Sequence, residues 1–328
     1  MIENILYPFQ ENKDIEELIY YLRKAKQGQG NIAFWIGAGV SKLVGYPLWE
    51  EFVNQLIQIY QVLNFNNYEY LRKKELIEEL KKDREFEKIL EIIKSYDKEL
   101  FERNIQKIFK SVEQNPNKDI SIFNIVSKFV RHRVIIITTN LDIELENILR
   151  KNLGINEEQI SIVPEDGGGS LDKYIYYLHG RIDKPDSWVL TETDYAEVYD
   201  NEPRVCSKFL EKFLKQLEVL VIMGYSLSEK EIYRKFLKPD KEKYQKSIGS
   251  IRDYKKATSD LKIFWIQLLD TPKKEKEFKE QIFYFSDTLE LNIKPIPYRE
   301  SEKLTSLLEE IYQKAYESNV KEVFNSNG

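Results

Sequence analysis

NIAFWIGAGVS, residues 31–41, decides the reading of the fold. Ile32–Ile36 is an unbroken apolar run rich in β-formers, which predicts a strand buried on both faces. Gly37-Ala-Gly-Val-Ser41 then ends it in a tight turn. Upstream, Ile15, Leu18, Ile19 and Leu22 recur at helical spacing until Gly28 and Gly30 stop the element. Downstream, Pro47 suits a first helical position, and Leu48, Phe52, Leu56, Tyr60 and Leu63 share one helix face.

Residues 68–130 hold no convincing strand. They are dense in Glu and Lys, with Phe86, Ile89, Leu90, Ile93, Ile105, Ile108 and Phe109 spaced by threes and fours. This reads as an all-helical insertion after the first βα unit, with a turn near Asn115–Asn117 and solvated charged faces. Strand signals return at 134–139, 174–178, 218–224 and 261–267, with helical stretches such as 207–217 between them and a last amphipathic segment at 301–317. Near-continuous apolar strands alternating with helices predict an α/β fold, a parallel sheet covered by helices on both faces.

Composition narrows the class. Of 328 residues, 50 are Lys or Arg and 55 Asp or Glu, a net charge of −5 that disfavours broad nucleic-acid binding. One cysteine, Cys206, excludes an internal disulfide and a cysteine-rich zinc site, and two histidines exclude a His-rich metal centre. No metal is expected. The opening MIENILYPFQENKD lacks a basic-then-apolar leader, and no apolar run is long enough to span a bilayer, so a soluble cytoplasmic protein is expected.

The unusual residues fall directly after the predicted strands: Gly37–Ser41, Asn140 and Asp142, His179, Gly224–Ser226 and Gln267. In a parallel sheet the carboxyl ends of the strands share one edge, where ligands bind, so these distant residues can converge. The Gly37–Ser41 turn can present N–H groups to a phosphate, although it is neither G-x-G-x-x-G nor a P-loop; it can equally serve packing alone. Asp142 can cap the next helix, which leaves Asn140 unexplained. His179 sits at a strand end beside Gly180, which removes bulk where a substrate would approach, while His132, between Arg131 and Arg133, reads as a surface residue. Ser226 can donate to a ribose or phosphate oxygen or close a local turn. Cys206 reads as buried and inert.

Together Gly37-Ala38-Gly39-Val40-Ser41, Thr139-Asn140-Leu141-Asp142, His179-Gly180 and Gly224-Tyr225-Ser226-Leu227, in this order, resemble the sirtuin family, and Tyr177–Ile182 with Val189–Tyr195 is similar to its bacterial sirtuin-like branch. The resemblance covers about residues 30–270. It implies a Rossmann-like NAD-binding domain made of 1–67 and 131–328, with 68–130 as the inserted smaller module. It also implies NAD as substrate, with Gly37, Ala38, Gly39, Ser41, Gly224 and Ser226 toward phosphates and ribose, and Gln267 toward the adenosine ribose. Asn140, Asp142 and His179 become the catalytic residues: water or ribose positioning, the nicotinamide carboxamide, and base. A four-cysteine zinc module is absent, and Gly45-Tyr-Pro-Leu-Trp49 replaces the Pro-Asp-Phe-Arg type segment of the protein deacylases. The implied activity is therefore NAD hydrolysis to nicotinamide and ADP-ribose in antiphage defence, as a homo-oligomer beside a separate partner, for which a HerA-type ATPase is one candidate. The alternatives are a zinc-independent deacylase or ADP-ribosyltransferase, and a non-catalytic NAD or ADP-ribose binding module.

Overall fold

The computed structural model describes residues 11–63, 68–169, 172–225, 261–288 and 291–317. Its centre is the apolar run already quoted: β1 (Ile32–Ile36) is fully buried and forms parallel ladders with β2 (Ile135–Thr138) on one side and β5 (Val219–Met223) on the other. The described sheet has seven strands, completed by β3 (Ile160–Ile162), β4 (Ile175–Tyr177), β6 (Lys262–Leu268) and β7 (Ile293–Tyr298), in the order β3-β4-β2-β1-β5-β6-β7. Every ladder is parallel, so all carboxyl ends lie on one edge. From β1 the chain builds outward in both directions, which makes the β2–β1–β5 edge the topological switch point.

Two strands have no counterpart in the sequence reading. β3 is three residues long like β4, but Ser161 interrupts its apolar run and Glu157–Gln159 and Pro164 flank it, so it lacks the continuous apolar signal of 174–178. β7 carries Pro295 and Pro297, which argue against a strand interior; it is an edge strand, where a missing N–H can face away from the ladder.

Alternation along β1 divides the core. Ile32, Phe34 and Ile36 face a cluster built from α1 (Glu11–Lys26), α7 (Ser121–Val130), α8 (Glu144–Leu153) and α13 (Lys303–Tyr312). Ala33 and Trp35 face the second cluster, with α11 (Val205–Leu214) and α12 (Pro272–Phe283). Strands covered on both faces need no polar alternation, and theirs have almost none.

A third cluster joins α3 (Trp49–Leu63), α4 (Tyr68–Lys82), α5 (Phe86–Tyr96) and α6 (Lys98–Glu113). It also takes in Leu141, Trp188 and Leu190, which belong to the loops after β2 and β4. The helical cluster is thus seated on the carboxyl edge of the sheet. Residues 68–130 contribute to two cores, because α7 packs its Phe123, Val126 and Phe129 on the sheet rather than on α4–α6.

The turns after β1 and β5 are joined by backbone hydrogen bonds. Gly37 N donates to Met223 O at 3.0 Å and Gly39 N to Gly224 O at 2.7 Å, while Tyr225 stacks on Trp35 with centroids 5.5 Å apart. Gly224 has φ +64, and a Cβ there would lie 2.4 Å from Val40 N. Gly224→Ala is therefore expected to combine a left-handed strain of about 1–2 kcal/mol with overpacking of about 1–3 kcal/mol. Gly154→Ala, at φ +68 with nothing within 4 Å, is expected to show the strain alone. Urea midpoints of the two variants and the parent chain check the difference.

Candidate active site

At the switch point, Ser41, Asn140 and Asp142 form a hydrogen-bonded relay. Ser41 Oγ donates to Asp142 Oδ2 at 2.6 Å, and Asn140 Nδ2 donates to Ser41 Oγ at 2.8 Å. A hydroxyl has one proton, and the carboxylate takes it; Ser41 must then accept from Asn140. This fixes the amide with its nitrogen inward and its Oδ1 on the opposite side. Among the described residues Asn140 Oδ1 has no hydrogen-bond partner, and Asn140 is half-buried while Ser41 is 3% and Asp142 7% exposed. The loop itself is pinned by Thr138, whose hydroxyl donates to Ile36 O at 2.9 Å and accepts from Asn140 N at 3.0 Å.

Asp142 also meets the capping alternative. Its Oδ1 accepts from Glu144 N at 3.3 Å at the start of α8, so one carboxylate serves both the relay and the helix. Burial outweighs these hydrogen bonds and pushes its pKa up to about 6. Beneath the relay is a cavity of about 10 Å³, lined by Thr138, Tyr177, Phe123 and Ile136, with room for about one water-sized sphere. A groove of about 580 Å³ lies elsewhere, between α3 and α6, with Lys42 and Gly45 on its wall.

His179 follows β4, the strand next to β2. Its ring is 4% exposed and set between two tyrosines: Nε2 lies 3.0 Å from Tyr199 Oη and Nδ1 3.5 Å from Tyr195 Oη. Burial alone drives its pKa down to about 3, so the imidazole is neutral at physiological pH. Gly180, at φ +86, does not clear space for a ligand in this structure. A Cβ there would lie 2.3 Å from Ser187 O, so the glycine makes room for its own loop. That loop is anchored by Val189 N to His179 O (3.1 Å), Ile182 N to Leu141 O (2.8 Å) and Trp188 Nε1 to Arg181 O (2.6 Å). Arg181, 5% exposed, binds Asp183 at 2.8 Å and Glu157 at 2.5 Å and lies 3.5 Å from the buried Glu146 of α8.

The structure therefore brings Ser41, Asn140 and Asp142 into direct contact, and Gly37 and Gly39 against Gly224. The described contacts of His179 are with Tyr195 and Tyr199, which belong to the second core cluster. Ala38 opens the short helix α2 (Ala38–Lys42) after the glycine turn. Gln267 lies within β6, paired with Pro297, and β5 separates its strand from β1. Ser226 lies outside the described residues, as does Leu227. Cys206 is buried, its thiol donating to Leu178 O at 3.4 Å, and burial raises its pKa. Among the described residues no group of three or more His, Cys, Asp or Glu is placed to hold a metal, and no helix is long and apolar enough to cross a membrane.

Sequence reasoning missed the residues that hold the histidine. Tyr195 and Tyr199 are four apart, a helical spacing that puts both on one face, but nothing in the sequence said which histidine they meet. Arg181 was visible only as a neighbour of His179.

The SIR2-like domain family model matches residues 134–279, a span that includes Asn140, Asp142, His179, Tyr195 and Tyr199. Defense-associated sirtuin 2 of Bacillus subtilis is 26% identical over 210 residues, which is 62% of this chain and 18% of that protein. The match thus spans less than a fifth of the relative's length.

The two buried titratable groups give opposite pH dependences. His179, depressed from 6.5 to about 3, stabilises the fold fully above 6.5, and that stabilisation is lost as pH falls from there toward 3. Asp142, raised from 3.8 to about 6, contributes stability below 3.8 that is lost as pH rises toward 6. His179→Gln is expected to flatten the acid limb between pH 6.5 and 4, and Asp142→Asn to gain on the parent chain as pH rises from 4 to 6. Urea midpoints across that range check both signs.

Proposed function

We propose that this chain, whose residues 134–279 match the SIR2-like domain family model, is an NAD glycohydrolase that releases nicotinamide and ADP-ribose and acts as the NAD-depleting effector of an antiphage defence system. The name of the Bacillus subtilis relative supports the defence role. The observation that carries the enzymatic reading is the Asn140–Ser41–Asp142 relay, which commits the Asn140 nitrogen to Ser41 and leaves its carbonyl oxygen without a partner among the described residues, at the edge where β2 adjoins the strand bearing His179.

Nicotinamide in NAD leaves as a neutral base from a cationic ring, so no general acid is needed, and the barrier is an oxocarbenium-like ribose. In this reading Asn140 holds the attacking water or a ribose hydroxyl. Ser41 acts through Asn140, since its own proton is given to Asp142. Asp142, kept in the relay, presents the carboxylate side of the pocket to the nicotinamide carboxamide. His179 accepts a proton from the ribose hydroxyl or the water. Its buried ring is neutral at every physiological pH, with a proton affinity that burial lowers, and a positioned base contributes up to about 10²–10⁴-fold where its pKa lies near the working pH. With the Gly37 and Gly39 N–H groups given to the β5 turn, the contacts to phosphates and ribose fall to Ala38, Gly224 and Ser226, with Gln267 toward the adenosine ribose. No zinc is required.

An NADase that ran without control would empty its host of NAD. The proposal therefore includes a homo-oligomer and a separate defence partner, a HerA-type ATPase being the candidate. The full chain, alone and with the product of its neighbouring gene, is expected to release nicotinamide from NAD. Asn140→Ala and His179→Ala are expected to be slower by at least about 10²-fold. A parent chain no faster than His179→Ala in every such assay refutes the hydrolase. Size-exclusion chromatography is expected to show a species larger than one chain; a strict monomer with and without the neighbour removes the oligomer from the proposal.

A further inference from the structure

We infer that Tyr199 is the positioning residue of His179: its hydroxyl oxygen accepts the Nε2 proton and so holds the ring in the tautomer whose Nδ1 lone pair faces the reacting oxygen. The inference rests on the reading of His179 as base, and it adds a residue that neither the sequence motifs nor the family match singles out.

The imidazole has two polar atoms, and in its neutral form one donates and the other accepts. The two contacts are unequal. Nε2 to Tyr199 Oη, at 3.0 Å, is an ordinary hydrogen bond, whereas Nδ1 to Tyr195 Oη, at 3.5 Å, lies at the outer limit. Tyr195 is therefore the contact that a substrate hydroxyl can replace, and Tyr199 the one that persists. If Tyr199 fixed the opposite tautomer, Nδ1 would carry the proton and could not act as base.

The backbone around Tyr199 is held on both sides. Thr191 and Asp194 form a reciprocal capping box at the start of α10 (Glu192–Tyr195). The chain then continues as a π-helical turn, Ala196–Asp200, closed by Asn201 N to Ala196 O at 2.7 Å. Such turns are frequent at functional sites, and two other described helices end in one. Ser207 Oγ donates to Tyr199 O at 2.6 Å, tying the turn to α11, and the Tyr195 and Tyr199 rings stack with centroids 5.8 Å apart at 23°. Tyr199 is 1% exposed. A carboxylate in this position would favour the charged imidazolium; a phenol orders the ring and leaves it neutral, consistent with burial as the only cause of the lowered proton affinity of His179.

A residue that only packed would need its ring and not its hydroxyl, so Tyr199→Phe separates the two roles. The chain has two histidines, and labelling them with ¹⁵N gives two imidazoles that His132→Gln assigns. In the full chain, His179 is expected to be protonated on Nε2 and bare on Nδ1. Tyr199→Phe is expected to mix the tautomers, and Tyr195→Phe to leave the Nε2–H form in place. In the NAD assay, Tyr199→Phe is expected to lower kcat at least roughly tenfold with KM within about twofold, part of what a positioned base contributes. A parent ring protonated on Nδ1, or one whose tautomer does not change in Tyr199→Phe, overturns the inference. A tautomer that responds as expected in a chain that never releases nicotinamide rejects the hydrolase reading and leaves the control of the ring by Tyr199 standing.

Discussion

The rest of the site depends on two backbone hydrogen bonds between the turns that follow β1 and β5. Gly37 and Gly39 give their N–H groups to Met223 O and Gly224 O, and the turns are so close that a Cβ at Gly37, Gly39 or Gly224 would lie within 3 Å of the other chain segment. Only glycine permits that approach. It fixes where Ser41 emerges from the short helix after β1, and thereby which partner from β2 it can reach. The same contact shows why a glycine-rich turn at a strand end is ambiguous in sequence: two of its N–H groups hold the fold rather than a ligand.

From this anchor the polar chemistry is built by desolvation. Ser41 and Asp142 are buried, so their hydrogen bond has little competition from water and their single shared proton dictates the orientation of Asn140. On the neighbouring strand, burial takes His179 in the other direction and keeps it neutral. A carboxyl raised toward neutrality and an imidazole lowered far below it sit on adjacent strand ends, and groups shifted by their surroundings in this way are characteristic of functional sites. The helical cluster contributes through Leu141, Trp188 and Leu190, apolar residues between the polar ones, which clamp both loops from outside the sheet. The loops are thereby held by packing, while their polar residues are left to the site.

The ion network of Arg181 has a complementary role. It connects the loop after β4 to Glu146 of α8 and to Glu157, so the helix that follows β2 and the loop that carries His179 cannot move independently. A charge buried this deeply is costly unless paired, and here it has three carboxylates around it. Arg181 raises its partners' commitment to this geometry, and Tyr177, donating to Glu146 at 3.2 Å, brings β4 itself into the network.

The sequence by itself determined the parallel α/β architecture, because strands buried on both faces must be written as apolar runs and Ile32–Ile36, Ile135–Thr138 and Val219–Met223 are. It also determined that the polar residues follow the strands, since a fully covered sheet leaves only its edge for them. It did not reveal β3, whose short apolar run is broken by Ser161, or β7, whose prolines are tolerated because the strand is at the edge. Tertiary structure alone decided the order of the strands, and with it that Ser41 would meet Asn140 and Asp142 across about a hundred residues of intervening chain while His179 would be enclosed by tyrosines. The reason is physical: local periodicity reports which face of an element is buried, but which surface it is buried against depends on contacts between segments far apart in the chain.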